Sequence, residues 1–378
     1  MLYADNLSDD ILSDIKKKSL TLQSLQNEAR SSKLKKDWLN PIVLSWKYKK
    51  DDDYTTKTIA LHIDQPIFKS GGIYQAIKYA NSMKNYGQSS LKITENKLIV
   101  NAYNILFNIK KMDFSIQKQK LLIQNAKIDV NKKEELVNNG LLDSTFLNNA
   151  ILDKNFKQNT LFDMELSRQT LINSFKNISQ KDYKTFVLPN LKLISNKEYI
   201  NNNILLKNDK ENIENKNRYY KMTISKYLPS INLYLDKTKY ISSTNPILDD
   251  SSTQTFYGLK ASILFDTRTL NDIQNTKLDY LRAQNDLIDK KEEQKNFYQD
   301  ILFRLNILNK KIALSEEDIK LYAKLVKEFD EQFKAGLKTK DDLEMMKNSK
   351  KIKELDKKIY NIEKNIELLK LYENIQNI

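Results

Sequence analysis

Leu228-Pro229-Ser230-Ile231-Asn232-Leu233-Tyr234-Leu235-Asp236 is the stretch on which the reading of this chain turns. Proline cannot continue a helix and is tolerated at the start of a strand. After it Ile231, Leu233 and Leu235 alternate with Asn232, Tyr234 and Asp236, the two-residue period of a strand with one apolar and one polar face. Asn40-Pro41-Ile42-Val43-Leu44 repeats the pattern, an offset of 188 from Pro41 to Pro229. There Ile42, Leu44, Trp46 and Tyr48 alternate with Val43, Ser45, Lys47 and Lys49, and Ile59, Leu61 and Ile63 with Thr58, Ala60, His62 and Asp64. Leu259, Ala261 and Ile263 alternate with Gly258, Lys260 and Ser262. The pattern predicts four strands of roughly ten residues in two hairpins, at about 40–67 and 229–265, which is the length and dyad period of transmembrane β-strands. Two hairpins packed on a helix in a soluble protein would show the same alternation.

A sheet that spans lipid must close, because lipid cannot satisfy an open edge. Four strands are too few, since membrane barrels begin at about eight, so several chains would have to share one barrel. Trp38, Trp46, Tyr48 and Tyr54 then read as interfacial aromatics, ordinary strand packing being the alternative. His62, the only histidine, reads as a lumen-facing polar residue rather than a ligand or base.

Outward from the strands the sequence is helical. The 378 residues include only 6 Gly and 5 Pro, where average usage would supply about 45. Lys, Leu, Ile, Asn, Glu and Gln dominate instead, a mixture that favours long uninterrupted helices. The first repeat, residues 1–189, is predicted to hold a helix at 7–36, the hairpin at 40–67, a long helix at 72–137, a turn at Gly140 and a helix at 142–179. The second, residues 190–378, has a helix at 197–226, the hairpin at 229–265, a long helix at 268–335, a turn at Gly336 and a helix at 339–373. Pro66-Ile67-Phe68 answers Ile263-Leu264-Phe265, and Gly140-Leu141 answers Gly336-Leu337. The loop Ser242–Thr255 is longer than Lys49–Thr55, whereas the long helix keeps its length between the copies.

The long helices carry coiled-coil seams. In the first, Leu98, Ala102, Ile105, Ile109, Met112 and Ile116 continue through Ile123, Ala126, Val130 and Val137 with the 3.5-residue period of a coiled coil. A second stripe, Val100, Phe107, Phe114, Leu121 and Ile128, faces nearly opposite. In the second, Tyr298, Ile301, Leu305, Leu308, Ile312, Ser315, Ile319, Tyr322, Val326, Phe329 and Phe333 form the seam, with Ile307, Leu314 and Leu321 off it. One broad stripe suffices for an antiparallel bundle; two opposed stripes suit a helix with a neighbour on either side.

The composition excludes much. Without Cys there are no Cys-ligated metal centres, thiol nucleophiles or disulfides, and a single His removes most acid–base triads. The chain reads as a non-enzyme with no cofactor or metal. No run approaches a transmembrane helix. The net charge of +14 comes from 63 basic residues, all but six of them lysines, scattered among 49 acids. Nucleic-acid recognition favours clustered arginine, so no nucleic-acid partner is expected.

In this arrangement the chain resembles the TolC-type outer-membrane efflux proteins. The resemblance is carried by Tyr227-Leu228-Pro229-Ser230-Ile231-Asn232-Leu233, by the junctions Gln65-Pro66-Ile67-Phe68-Lys69-Ser70-Gly71-Gly72 and Ala261-Ser262-Ile263-Leu264-Phe265-Asp266, and by the turns Val137-Asn138-Asn139-Gly140-Leu141-Leu142-Asp143 and Phe333-Lys334-Ala335-Gly336-Leu337-Lys338-Thr339-Lys340-Asp341-Asp342-Leu343. It implies a mainly α chain, internally duplicated, whose long hairpins build an α-barrel in the periplasm. Four strands per chain join a 12-stranded β-barrel in the outer membrane of a Gram-negative bacterium, as a homotrimer in contact with outer-membrane lipid. It also implies an exit duct of a tripartite efflux or type I secretion system, docked on a periplasmic adaptor (a membrane fusion protein) that serves an inner-membrane pump. A soluble periplasmic coiled-coil scaffold or adaptor is the alternative. Met1–Ala4 is too short for the apolar core of a signal peptide before the mature-looking start Asp5-Asn6.

The turns are the candidate docking tip: Asn139, Gly140 and Leu141, with Ala335, Gly336 and Leu337. Just beyond the second turn Asp341, Asp342 and Glu344 fall in the first two turns of the last helix, where its dipole favours carboxylates in any case. Under threefold symmetry one inward acid per chain becomes a ring of three, a cation-selective constriction. The resemblance matches Asp342 to such a ring position and Lys338 to a basic residue that ties the tip helices shut. The family's second acidic position falls on Met345, and the first-repeat equivalent of Asp342 is Phe146.

Overall fold

The computed structural model describes residues 7, 9–247 and 252–376. The start at Asp5-Asn6 and part of the loop Ser242–Thr255 lie outside the described residues. Within them the order is α1 (Asp14–Lys36), β1 (Val43–Lys50), β2 (Thr55–Phe68), α2 (Gly72–Asn138) and α3 (Ser144–Lys176), followed by α4 (Asn196–Asn201), α5 (Ile204–Lys226), β3 (Ser230–Ser243), β4 (Thr253–Ser262), α6 (Thr269–Lys334) and α7 (Lys340–Glu373). Short 3-10 turns occur at Asp9–Ile11 and Tyr183–Thr185.

Two helices depart from the sequence reading. The first begins at Asp14, not near residue 7, because Asp9–Ile11 forms a 3-10 turn and the Ser13 hydroxyl accepts the Lys16 N–H at 3.4 Å. The single helix expected at 197–226 is interrupted at Asn202-Asn203. Asn203 forms a β-bridge with Ile375, the Ile204 N–H donates to the Asn374 carbonyl at 2.8 Å, and the Gln376 N–H donates to the Asn202 carbonyl at 3.0 Å. The asparagines thus exchange helical bonds for a tie to the C-terminal segment.

The four strands form one antiparallel sheet in the order β1-β2-β3-β4, so the β2–β3 pair joins the hairpins of the two repeats. Residues directly opposite share a face. One face therefore carries Leu44, Trp46, Tyr48, Ile59, Leu61, Ile63, Leu233, Leu235 and Leu259, and the other Thr58, His62, Asp64, Asn232, Tyr234, Asp236 and Lys260. On the polar face His62 Nδ1 pairs with Asp236, and Asn232 Nδ2 donates to Asp64 Oδ1 at 2.6 Å. A Cβ at Gly258 would lie 2.9 Å from the Tyr234 hydroxyl, so a larger residue there would push that ring aside.

The chain divides into two compact units. Thr21–Lys92 with Leu205–Lys291 contains the sheet; Met1–Leu20, Ile93–Ile204 and Glu292–Ile378 contain both glycine turns. In the latter unit Ile11, Phe107, Phe175, Tyr199, Ile301, Leu369 and Leu371 are the most deeply buried large apolar side chains. Both stripes of α2 are covered there, Ile105, Ile109 and Ile116 on one side and Val100, Phe107 and Ile128 on the other. On α6 the seam residues Tyr298, Ile301, Leu305 and Leu308 are buried, whereas Phe303, Leu314 and Leu321 stay exposed. A buried polar cluster fixes the C-terminal segment: Tyr199 Oη donates to Gln294 Oε1 at 2.7 Å and Asn96 Nδ2 to the Ile375 carbonyl at 2.7 Å. Burial pushes the Tyr199 hydroxyl up to about 12.

Candidate functional site

The two glycine turns have the same backbone. After α2 the Leu141 N–H reaches back to the Leu136 carbonyl at 2.8 Å and the Gly140 N–H to Val137 at 3.0 Å; after α6 the Leu337 N–H reaches Gln332 at 2.8 Å and the Gly336 N–H Phe333 at 3.0 Å. This is the double bond of a helix ending on a left-handed residue, with φ of 68° at Gly140 and 76° at Gly336. A Cβ at either glycine would meet nothing within 4 Å, so the requirement is conformational and not steric. Each turn presents an open leucine, Leu141 at 72% and Leu337 at 74% exposure, with Asn139 and Ala335 exposed beside them.

The residue that caps the next helix falls three residues after each glycine. Asp143 caps α3 by accepting the Thr145 N–H at 2.7 Å. Thr339 caps α7 with a reciprocal pair, its hydroxyl accepting the Asp342 N–H at 3.2 Å while Asp342 Oδ2 accepts the Thr339 N–H at 3.0 Å. The other oxygen of Asp342 takes the ammonium of Lys132 on α2. That ammonium, followed by the Thr339 bonds, holds the Asp342 carboxyl well below the usual carboxylate range. Asp342 is therefore a capping and pairing acid within one chain. Asp341 is half-buried and Glu344 exposed. Lys338 Nζ lies 5.2 Å from the Phe329 ring centroid, over α6 of its own hairpin.

Lys132 escaped the sequence reading, and it belongs to a series. Lys111, Lys118, Asn125 and Lys132 recur every seven residues on α2 and face α7 in antiparallel order: Lys111 with Glu363 at 3.7 Å, Lys118 with Asp356 at 2.6 Å, Asn125 with Asn348 at 2.9 Å, and Lys132 with Asp342. The heptad recurrence of polar residues beside the apolar seam was the available signal. The other side of α7 is tied to α6 through Lys353–Asp318 at 2.8 Å and Lys357–Glu316 at 2.7 Å.

In the sheet unit the expected interfacial aromatics divide. Trp46 and Tyr48 project from the apolar face of β1 and are exposed, and Tyr54 stands in the β1–β2 loop, where its N–H bonds Asp51 at 2.8 Å. Trp38 instead lines a cavity of about 290 Å³ with Leu34, Ile73, Ala76, Tyr79 and Met222. The apolar face lies open: Leu44 is 72% exposed, Trp46 62%, Tyr257 76% and Leu259 66%. Hairpins packed on a helix would have covered it. Among the described residues no helix is long and apolar enough to cross a membrane.

No protein-family model and no curated protein matches the chain. Solved structures do. The outer-membrane protein VceC of Vibrio cholerae superposes with a TM-score of 0.73 at 12% identity, over 95% of this chain and 93% of that one. The CmeC outer-membrane channel of Campylobacter jejuni gives 0.76 at 13%, over 98% and 86%. The MtrE outer-membrane channel of Neisseria gonorrhoeae, in its open state, gives 0.69 at 11%, over 98% and 88%. The duplicated long-helix hairpins with one four-stranded sheet are the fold of TolC-type outer-membrane channels.

Proposed function

We propose that this chain is the outer-membrane exit duct of a tripartite efflux or type I secretion system, a passive conduit and not an enzyme. The observation that carries the reading is the sheet, which turns its apolar face outward and uncovered while its polar face holds the His62–Asp236 and Asp64–Asn232 pairs. In water an open apolar face of this extent is a liability; in lipid it is required. β1 and β4 stand at the two ends of the strand order. Three copies supply twelve strands and close the edges, and the exposed Phe303, Leu314 and Leu321 of α6 offer a helical face to a neighbouring copy. The soluble scaffold or adaptor reading has no such observation in its favour.

In this duct the helices lie in the periplasm of a Gram-negative cell. The exposed tip of Asn139, Gly140 and Leu141 with Ala335, Gly336 and Leu337 docks on a periplasmic adaptor that serves an inner-membrane pump. Asp341, Asp342 and Glu344 line the mouth, and Lys338 helps to hold it shut. Membrane fractionation with unheated gel electrophoresis tests the proposal. An outer-membrane, heat-sensitive trimer that conducts ions in planar bilayers is expected; a folded, monodisperse monomer in detergent, or a soluble protein, would sink it.

A further inference from the structure

The outward face of the sheet carries charge that contact with lipid tails does not call for. Tyr48 stands opposite Lys57, Ile59 opposite Lys239, and Leu61 opposite Lys237, so these lysines share the side of Trp46 and Leu44. Lys50 lies two residues beyond Tyr48 on β1 and joins them. All four are exposed. In the order Lys50, Lys57, Lys239, Lys237 each stands diagonal or next but one to the following, about 7 Å away.

No acid occupies an outward strand position among the described residues. The polar face, by contrast, pairs His62 with Asp236, and the loop acid Asp51 takes Lys49 of that same face at 3.4 Å. Lys50, Lys57 and Lys239 gather toward the loop end of the strands, beside Trp46 and Tyr48, and Lys237 stands one row further in, at the middle of β3. A lysine facing the middle of a bilayer is costly. At headgroup level it is favoured, its stem lying along apolar surface and its ammonium reaching a phosphate.

We propose that Lys50, Lys57, Lys237 and Lys239 form a binding site for the phosphate groups of the phosphorylated glycolipid that makes up the outer leaflet, with Trp46 and Tyr48 against its acyl chains. The inference rests on the outer-membrane reading, which puts the loop end of the strands at that leaflet. The test uses the full-length protein, assembled in detergent and incubated with lipid A bearing both phosphates, with dephosphorylated lipid A, or with phosphatidylglycerol, bound lipid being counted by native mass spectrometry. Each lysine at an anionic surface is worth about a fivefold change in binding. Replacing all four by Gln is therefore expected to weaken lipid A retention roughly six-hundredfold, while Lys47→Gln with Lys260→Gln on the polar face leaves it unchanged. Wild-type protein alone should also discriminate phosphorylated from dephosphorylated lipid A, whether or not the quadruple variant assembles. Equal retention of the two forms of lipid A, or phosphatidylglycerol held as tightly, would overturn the assignment. Failure of the wild-type chain to insert and conduct would count instead against the outer-membrane reading itself.

Discussion

The two glycine turns are built alike and held differently. Both end a long helix with the same pair of backward hydrogen bonds on a left-handed glycine, and both place the cap of the next helix three residues later. From there they part. The first start is capped by Asp143 alone, and the position matching Asp342 is the exposed Phe146. The second has the reciprocal Thr339–Asp342 cap, an ion pair from Asp342 to Lys132, and Lys338 over Phe329. The two turns share the reversal of the chain and differ in its fastenings. The first turn is an exposed apolar loop; the second is secured by polar bonds to its own hairpin and to α2, and polar bonds can be released without unfolding.

Breaking the shared part should have the largest effect. A β-branched residue at φ near 70° costs about 3 kcal/mol, so Gly336→Val and Gly140→Val should each abolish export while the trimer persists. Asparagine tolerates the left-handed region. Gly336→Asn should therefore keep slow hydrogen exchange at the turn and still lose export, because its side chain protrudes where the adaptor docks. Full export by the Asn variants would reduce both glycines to helix caps, and loss of the trimer would leave docking unsupported.

The next effect separates the turns. Asp342→Ala removes a cap and a charge-assisted pair, about 2 kcal/mol of local stability, read as faster hydrogen exchange in the first turns of α7. Asp143→Ala should loosen the start of α3 less, having only the cap to lose. Lys132→Gln should reproduce most of the Asp342→Ala effect, and equal responses at the two turns would erase the distinction. Acidification sharpens it. The Asp342 carboxyl is depressed in the folded chain, so its stabilisation is complete above the unfolded value of about 3.9 and is lost only as pH falls through the lower folded value. Exchange protection at the start of α7, measured relative to the intrinsic amide rate at each pH, should stay unchanged from neutral pH down to about 5. In planar bilayers Asp342→Asn should weaken block by trivalent cations and reduce cation preference. If it changes neither and Glu344→Gln abolishes both, the ring belongs to Glu344.

What was legible in the sequence was whatever repeats locally. Glycines at equivalent places in two copies, a seam of 3.5-residue period and an alternation of period two mark the hairpins, strands and turns. Contacts between distant segments left no such mark. The alternation gave two hairpins, but not that β2 pairs with β3 to make one sheet. Asn202 and Asn203 looked helical because their bridging partner, Ile375, lies at the other end of the chain. Asp342 was legible as an acid near a helix start, yet its partner Lys132 is 210 residues away. Of the four aromatics grouped as interfacial, Trp38 lines a cavity between helices and strands, a setting that composition could not have shown.

Lys338 offers the smallest effect and the finest cut between the turns. Its equivalent after Gly140 is Leu142, so Lys338→Leu converts one turn toward the other. The ammonium over the Phe329 ring is exposed, which limits its worth to about 0.5 kcal/mol, too little to disturb assembly. Functional weight must then come from a second role, that of tying the mouth shut in the trimer. Since the lysine already leans on α6 of its own hairpin, it can only help to close the mouth by holding that turn in place against its neighbours. Lys338→Leu should therefore raise single-channel conductance modestly without changing ion selectivity, which depends on the acids. Conductance equal to wild type, with hydrogen exchange at the turn only slightly faster, would confine Lys338 to its contact with Phe329 and leave Asp342 with Lys132 as the fastening that sets the second turn apart.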